Sequence, residues 1–362
     1  MKAAILMPVL AAQDAVGNDA LAMARLLRER GIETRIHCDV AVGVDETTYK
    51  PATLPDFAGG ADDLVIYHFS VGWPVALDLL RRVRGYRVVR YHNITPPEFF
   101  DGISTLHAET CARGRAEIPA IAQLGCERYI GASQYNLDEL LAAGAPATRG
   151  CVFAPFHRVD ALLDAEADLA LLDELGDGAH NVLMVGRIAP NKGHVELVEA
   201  FAAYVDGFGD PARLILVGKR DPRLAAYNDA VHAAIYRHRL GTRVRWLEAA
   251  SEARLKAAFL ASHAFMTLSR HEGFCVPLIE AMALGVPAVA LASSAIPETM
   301  GRDGGLAWES ADPWLHAASL ARLRDDAAFR QHLREHARRR YAREFALPVL
   351  RQRFFDALAE VL

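Results

Sequence analysis

The feature that most constrains this chain is a rhythm: short apolar runs alternate with longer segments of helical period, and the alternation occurs twice. In the first half the runs are AAILMPV (3–9), LVIYHF (64–69), RVVRYH (87–92), RYIGAS (128–133) and CVFA (151–154). Helical patterns cover 18–30, 74–84, 105–124 and 134–143. A stretch over 155–178 reads as a linker. The rhythm then restarts with NVLMVG (181–186), RLILVG (213–218), RVRWL (243–247), AFMTLS (264–269) and PAVAL (287–291), with helical patterns from 193 and over 224–239, 251–261 and 277–284. The end, 311–362, reads as helix throughout. Repeated strand–helix order implies a mostly parallel sheet covered on both faces. The expected fold class is therefore α/β, with two Rossmann-like domains facing an interdomain cleft, 1–160 and 161–345.

Composition sets the bounds. A chain of 362 residues is long enough for about two domains of ~150–200 residues, and 52% hydrophobic residues are enough to give each a core. The net charge of −5 argues against a protein that coats nucleic acid, and no nucleic-acid partner is expected. Five cysteines without a C-x-x-C pair point to reduced thiols and a cytoplasmic location. The apolar N-terminal run is followed by Asp14 and Asp19 and reads as a first buried strand, not a leader. No stretch of ~20 uncharged apolar residues is present.

In open α/β sheets, ligands bind beyond the carboxyl ends of the strands. Gly17, His68, His92, Ser133, Arg187, Lys219 and Glu272 all follow or end strand patterns. GRIAPNKG (186–193) places Arg187 and Lys192 before a helix start, where free N–H groups and the helix dipole favour a phosphate. It lacks the glycine before lysine that a Walker loop requires. SRHEGFCVPLIEAMALGVP (269–287) puts Glu272 in a loop and Glu280 near the start of a helix opened by Pro277. Gly273 would let backbone approach a ligand, and two carboxylates suit a hydroxyl-rich guest. The simpler reading is a loop charge at Glu272 and dipole complementation at Glu280.

Together, GR-x-x-x-x-KG and EGF-x-x-P-x-x-EAMA-x-G-x-P resemble glycosyltransferase family 4, the retaining GT-B sugar-nucleotide transferases. The resemblance is strongest over 180–310. It implies that Arg187 and Lys192 neutralise a donor diphosphate and that Glu272, with Gly273 and Phe274, holds sugar hydroxyls and phosphates. It further implies that Glu280 binds ribose, that Gly17 lies in a glycine loop near the donor, and that His92 contacts the transferred sugar. Catalytic roles then fall to His92, Glu272, Arg187 and Lys192. Lys219 and Cys275 join the donor set, and His68 and Ser133 are expected on the acceptor side. The resemblance also implies that 346–362 packs back on the N-terminal, acceptor-binding domain. Two positions depart from the family pattern: Val16 precedes Gly17 where a second glycine is usual, and Cys275 replaces a glycine.

The implied reaction transfers a hexosyl group, with mannose from GDP-mannose as first guess, to a saccharide or polyprenyl-linked acceptor in cell-surface polysaccharide or glycoconjugate synthesis. No cofactor or metal is expected, since cations and a helix N-terminus stand in for one. Five arginines over 79–91 admit two readings: helix-end charge compensation, or a peripheral contact with anionic lipid on the inner face of the plasma membrane. His332, Glu335 and His336 fit H-x-x-E-H but lack a third ligand. A GT-B-type sugar-nucleotide epimerase and a non-catalytic two-domain sugar-binding protein remain the alternatives.

Overall fold

The computed structural model describes residues 1–12, 14–209, 211–302 and 304–362. Contacts divide the chain into two compact units. Met1–Glu98, Leu106–His157 and Leu347–Leu362 form the first; Phe99–Thr105 and Arg158–Ala346 form the second.

The first unit contains β1 (Lys2–Leu6), β2 (Val9–Ala11), β3 (Glu33–His37), β4 (Val40–Val42), β5 (Thr48–Tyr49), β6 (Leu64–Phe69), β7 (Tyr86–Tyr91), β8 (Arg128–Gly131) and β9 (Gly150–Val152). Seven of these form a parallel sheet in the order β5-β3-β1-β6-β7-β8-β9, while β2 and β4 pair separately. Every residue of β6 is buried, as expected of a strand covered on both faces. Its register with β7 sets His68 opposite Arg90, so the two share a face. The helix Leu347–Ala357 belongs to this unit. Its Phe354 ring lies 5.7 Å from Phe156 and 6.1 Å from Phe153.

The second unit contains β10 (His180–Val185), β11 (Ala212–Val217), β12 (Val244–Leu247), β13 (Ala264–Thr267), β14 (Ala288–Leu291) and β15 (Gly305–Trp308). Their order, β12-β11-β10-β13-β14-β15, is that of a doubly wound nucleotide-binding sheet. Strand order reverses between β10 and β13, and all pairings are parallel. A core of Val182, Met184, Leu214, Leu216 and Met266 lies under the helices His194–Phe208 and Pro313–Asp325.

Three expectations need correction. The stretch read as a linker forms two helices, Val159–Asp164 and Leu169–Leu175, anchored by buried Val159, Leu162, Leu171 and Leu175. Sequence reading missed β3, whose Glu33 and Arg35 mask the apolar signal, and the short β15, whose residues are only partly buried or exposed. Gly17 sits in the first turn of the helix Ala15–Glu29, not in a loop, because the Asp14 carboxylate caps that helix by accepting from Gly17 N–H at 3.2 Å.

Candidate functional site

The two segments singled out in the second half leave the sheet at its reversal point, one after β10 and one after β13. The turn Pro190–Lys192 is tied to the loop after β13 by backbone bonds. Asn191 O accepts from Arg270 N–H at 2.8 Å and from His271 N–H at 3.3 Å. The buried Asn191 side chain donates to His271 O at 3.1 Å. Gly193 explains the glycine of this motif. Its φ is +66°, and a Cβ there would meet Leu268 O at 2.0 Å. Only glycine allows both the left-handed turn and this close approach.

This packing places Lys192 Nζ 2.7 Å from both Oε1 and Oε2 of Glu272. Glu272 is 7% exposed, so the ion pair is largely desolvated on the acid side. Its backbone N–H donates to Ser294 Oγ at 2.7 Å. Beside it, β10 and β11 are each followed by a glycine, and the two touch: a Cβ on Gly218 would lie 1.9 Å from Gly186 O. Ile188 N–H donates to Lys219 O at 3.2 Å, which sets Arg187 and Lys219 at adjacent strand ends. Both are exposed, and Arg187 makes no ion pair among the described residues.

Along the second segment the roles divide. Phe274 is anchored: its carbonyl accepts from Thr299 Oγ1 at 2.6 Å, and its ring packs edge-on to Phe345 at 5.7 Å. Gly273, partly buried, lies between Glu272 and this anchor. Cys275 precedes the helix Val276–Leu284 with φ +77° and ψ +71°. This left-handed conformation costs an L-residue about 1–2 kcal/mol, which accounts for glycine as the usual residue here. Burial pushes the Cys275 thiol up. Glu280, one turn into the helix, is only partly buried as a residue, but its Oε2 is shut off from solvent and has no hydrogen-bond partner among the described residues. Desolvation raises its carboxyl to about 7.

In the first unit, a polar cluster forms at the ends of β6 and β7. His68 Nδ1 lies 2.9 Å from His92 Nε2. Asp19 Oδ2 accepts from Arg90 Nε at 2.8 Å and lies 3.6 Å from His92 Nε2 and 4.0 Å from His68 Nδ1. Asp19 Oδ1 accepts from Phe156 N–H at 2.8 Å. Arg90 also donates to the carbonyls of Gly131 and Phe153. Burial lowers both histidines, His68 to about 3 and His92 well below the usual range, so both are neutral near pH 7. The carboxylate and ring nitrogens of Asp19, His68 and His92 lie within 4.8 Å of one another, close enough to hold a metal. The fit is poor, because the fixed charge of Arg90 already occupies Asp19 Oδ2 and opposes a cation there.

Gly17 is packed by fold, since a Cβ there would meet Ala11 O at 2.3 Å. Ser133 caps the helix Gln134–Ala142 by accepting from Asn136 N–H at 3.3 Å. Of the five arginines over 79–91, Arg81, Arg82 and Arg84 are exposed, Arg87 donates to the Gly125 carbonyl, and Arg90 is fully buried. Sequence reasoning missed Asp19, Arg90 and Asn191. The one available signal was a charged residue inside an apolar pattern, as in RVVRYH.

Residues 174–340 match the family model described as "Glycosyl transferases group 1". The chain therefore carries a group 1 glycosyl transferase domain. This domain contains Arg187, Lys192, Lys219 and the whole Glu272–Glu280 segment, as the resemblance to glycosyltransferase family 4 requires. The chain is 32% identical over 176 residues to a D-inositol 3-phosphate glycosyltransferase of Corynebacterium efficiens. That match covers 46% of this chain and 41% of the relative, so it spans about two fifths of the relative's length. Among solved structures, the fold resembles that of HepE from Anabaena, determined in complex with UDP-glucose, at 16% identity and a TM-score of 0.75 over 99% of each chain. It also resembles sucrose-phosphate synthase from Thermosynechococcus elongatus, at 17% identity and a TM-score of 0.75 over 100% of this chain and 99% of that one. The fold is thus GT-B: α/β, with two sheets of parallel strands. No described helix is long and apolar enough to cross a membrane.

Proposed function

We propose that this protein is a retaining, metal-independent glycosyltransferase that moves a hexosyl group from a nucleoside-diphosphate sugar to a saccharide or lipid-linked acceptor. The observation that carries this reading is the Lys192–Glu272 pair at the reversal point of the second sheet, with exposed Arg187 and Lys219 beside it. A cation held by a carboxylate is placed, not mobile, and exposed cations at two adjacent strand ends suit a diphosphate.

In this reading the bond from sugar C1 to the β-phosphate oxygen breaks as the acceptor hydroxyl bonds to C1. The leaving phosphate takes the hydroxyl proton from the same face, which retains the anomeric configuration. Arg187 and Lys192 stabilise the charge on the leaving diphosphate. Glu272 accepts from sugar hydroxyls, and His92 meets the transferred sugar. Glu280 Oε2, buried without a donor among the described residues, is the acceptor that ribose hydroxyls would satisfy. GDP-mannose remains a candidate donor; UDP-glucose stands beside it because HepE is known with that ligand. Exposed Arg81, Arg82 and Arg84 leave a peripheral contact with anionic lipid open to test.

Incubation of the purified protein with GDP-mannose, UDP-glucose and related donors tests the reading. Slow release of free nucleoside diphosphate is expected without an acceptor, and faster release with one. Isomerised sugar nucleotide would instead indicate an epimerase, and binding without turnover a sugar-binding protein.

A further inference from the structure

We infer that His68 is a positioning residue that holds His92 in the tautomer protonated at Nδ1, so that His92 offers a donor N–H rather than a lone pair to a sugar hydroxyl. The role of the sugar rests on the proposed transferase reading; the tautomer does not.

The two histidine rings share a single proton. His68 Nδ1 and His92 Nε2 are 2.9 Å apart, and the rings are nearly parallel, at 19°. One of the two nitrogens must donate and the other accept. His68 is fully buried, and its Nε2 has no hydrogen-bond partner among the described residues. If His92 donated, neutral His68 would carry its proton on Nε2, leaving a buried N–H unsatisfied. If His68 donates, its Nε2 is an unprotonated lone pair, and orphaned acceptors are tolerated more readily than orphaned N–H donors. The proton therefore sits on His68 Nδ1, and His92 accepts it at Nε2.

A neutral imidazole that accepts at Nε2 is protonated at Nδ1. His92 Nδ1 has no hydrogen bond among the described residues, and the His92 side chain keeps 7% exposure where His68 and Asp19 have none. Nδ1 is thus the nitrogen left for a ligand. The neighbourhood would otherwise choose the opposite tautomer. Asp19 Oδ2 is 3.6 Å from His92 Nε2, just beyond hydrogen-bond reach, and a carboxylate would draw a proton to that nitrogen. His68 pre-empts this by occupying Nε2 as a donor. Arg90, 2.8 Å from Asp19 Oδ2, holds the carboxylate back.

The test uses the full-length protein labelled with 15N-histidine, whose ring-nitrogen shifts report tautomers, with the His92 signals assigned by their absence in His92→Asn. The wild type should show His92 protonated at Nδ1. His68→Asn, whose amide nitrogen can stand where His68 Nδ1 stands, should keep that tautomer. His68→Leu should move the proton to Nε2 and lower kcat/KM for donor turnover about tenfold, the loss expected for one hydrogen-bond donor, and His68→Asn should recover most of it. A wild-type His92 protonated at Nε2, or an unchanged tautomer in folded His68→Leu, overturns the inference. Should His68→Leu fail to fold, wild type and His68→Asn decide between them. A wild type with the expected tautomer but no donor turnover supports the histidine geometry and overturns the transferase reading instead.

Discussion

Lys192 reaches Glu272 across eighty positions of sequence and bonds both carboxylate oxygens at the same 2.7 Å. The contact depends on Gly193, because no residue with a Cβ could let the turn carrying Lys192 sit against Leu268 O.

Replacing Lys192 by alanine should leave the Glu272 carboxylate largely buried without its cation. The expected cost is about 1–3 kcal/mol of stability, together with a fall in donor turnover of at least about 100-fold. Calorimetry of the full chain should show a melting temperature lowered by several degrees with the fold retained. Glu272→Gln should lose turnover with a smaller effect on stability, since the neutral amide leaves no buried anion.

Gly193→Ala should be much worse than Gly125→Ala. Both glycines have positive φ, but a Cβ on Gly125 meets nothing within 4 Å, whereas on Gly193 it meets backbone at 2.0 Å. About 1–2 kcal/mol is expected for Gly125→Ala from the left-handed backbone alone, and more than about 3 kcal/mol for Gly193→Ala, which adds a steric clash. Urea titration of the two variants compares them directly; equal costs would contradict the close approach.

Cys275 gives a test of backbone strain. In Cys275→Gly, relief of about 1–2 kcal/mol of strain opposes the entropy that glycine gains in the unfolded chain and the loss of a small buried side chain. Stability should change by less than about 1 kcal/mol. Cys275→Val, β-branched at φ +77°, should lose more than about 2 kcal/mol. Thermal unfolding of the pair checks the ordering.

Glu280 should impress a pH dependence on stability. Burial raises its carboxyl from the ordinary 4.5 to about 7, so between these values the folded state binds more protons than the unfolded state. Its contribution is fully present below about pH 4.5 and is lost as pH rises towards 7. Glu280→Gln should flatten the stability profile over that window and be more stable than wild type at pH 8. A Glu280→Gln profile parallel to wild type would show that the group is not buried as described.

The elements that carry the second site were legible in the sequence because β10, β11 and β13 are continuous apolar runs that end in glycine or polar residues. The Glu272–Glu280 segment was legible because the motif is long. The linker failed because Val159, Leu162, Leu171 and Leu175 are spread over two short helices with prolines and glycines nearby. β3 failed because an edge-side strand with Glu33 and Arg35 does not look apolar. The Asp19–Arg90 pair was out of reach for a different reason: it joins a helix to a strand 71 positions away, nothing local marks Asp19 as buried, and the apolar run RVVRYH hints at burial for Arg90 without naming its partner. The conformation of Cys275 was equally hidden, since a residue's identity does not report its own φ.

The most direct test of the account is calorimetric titration of GDP and UDP into wild type and Arg187→Ala. Arg187 is exposed and makes no ion pair among the described residues, so its removal should leave the melting temperature unchanged. At least one of the two nucleotides should bind the wild type, and Arg187→Ala should weaken it about tenfold or more, the loss of one charge-assisted contact to a diphosphate. Binding of neither nucleotide, or equal affinity in the two proteins, would contradict a diphosphate site at the end of β10.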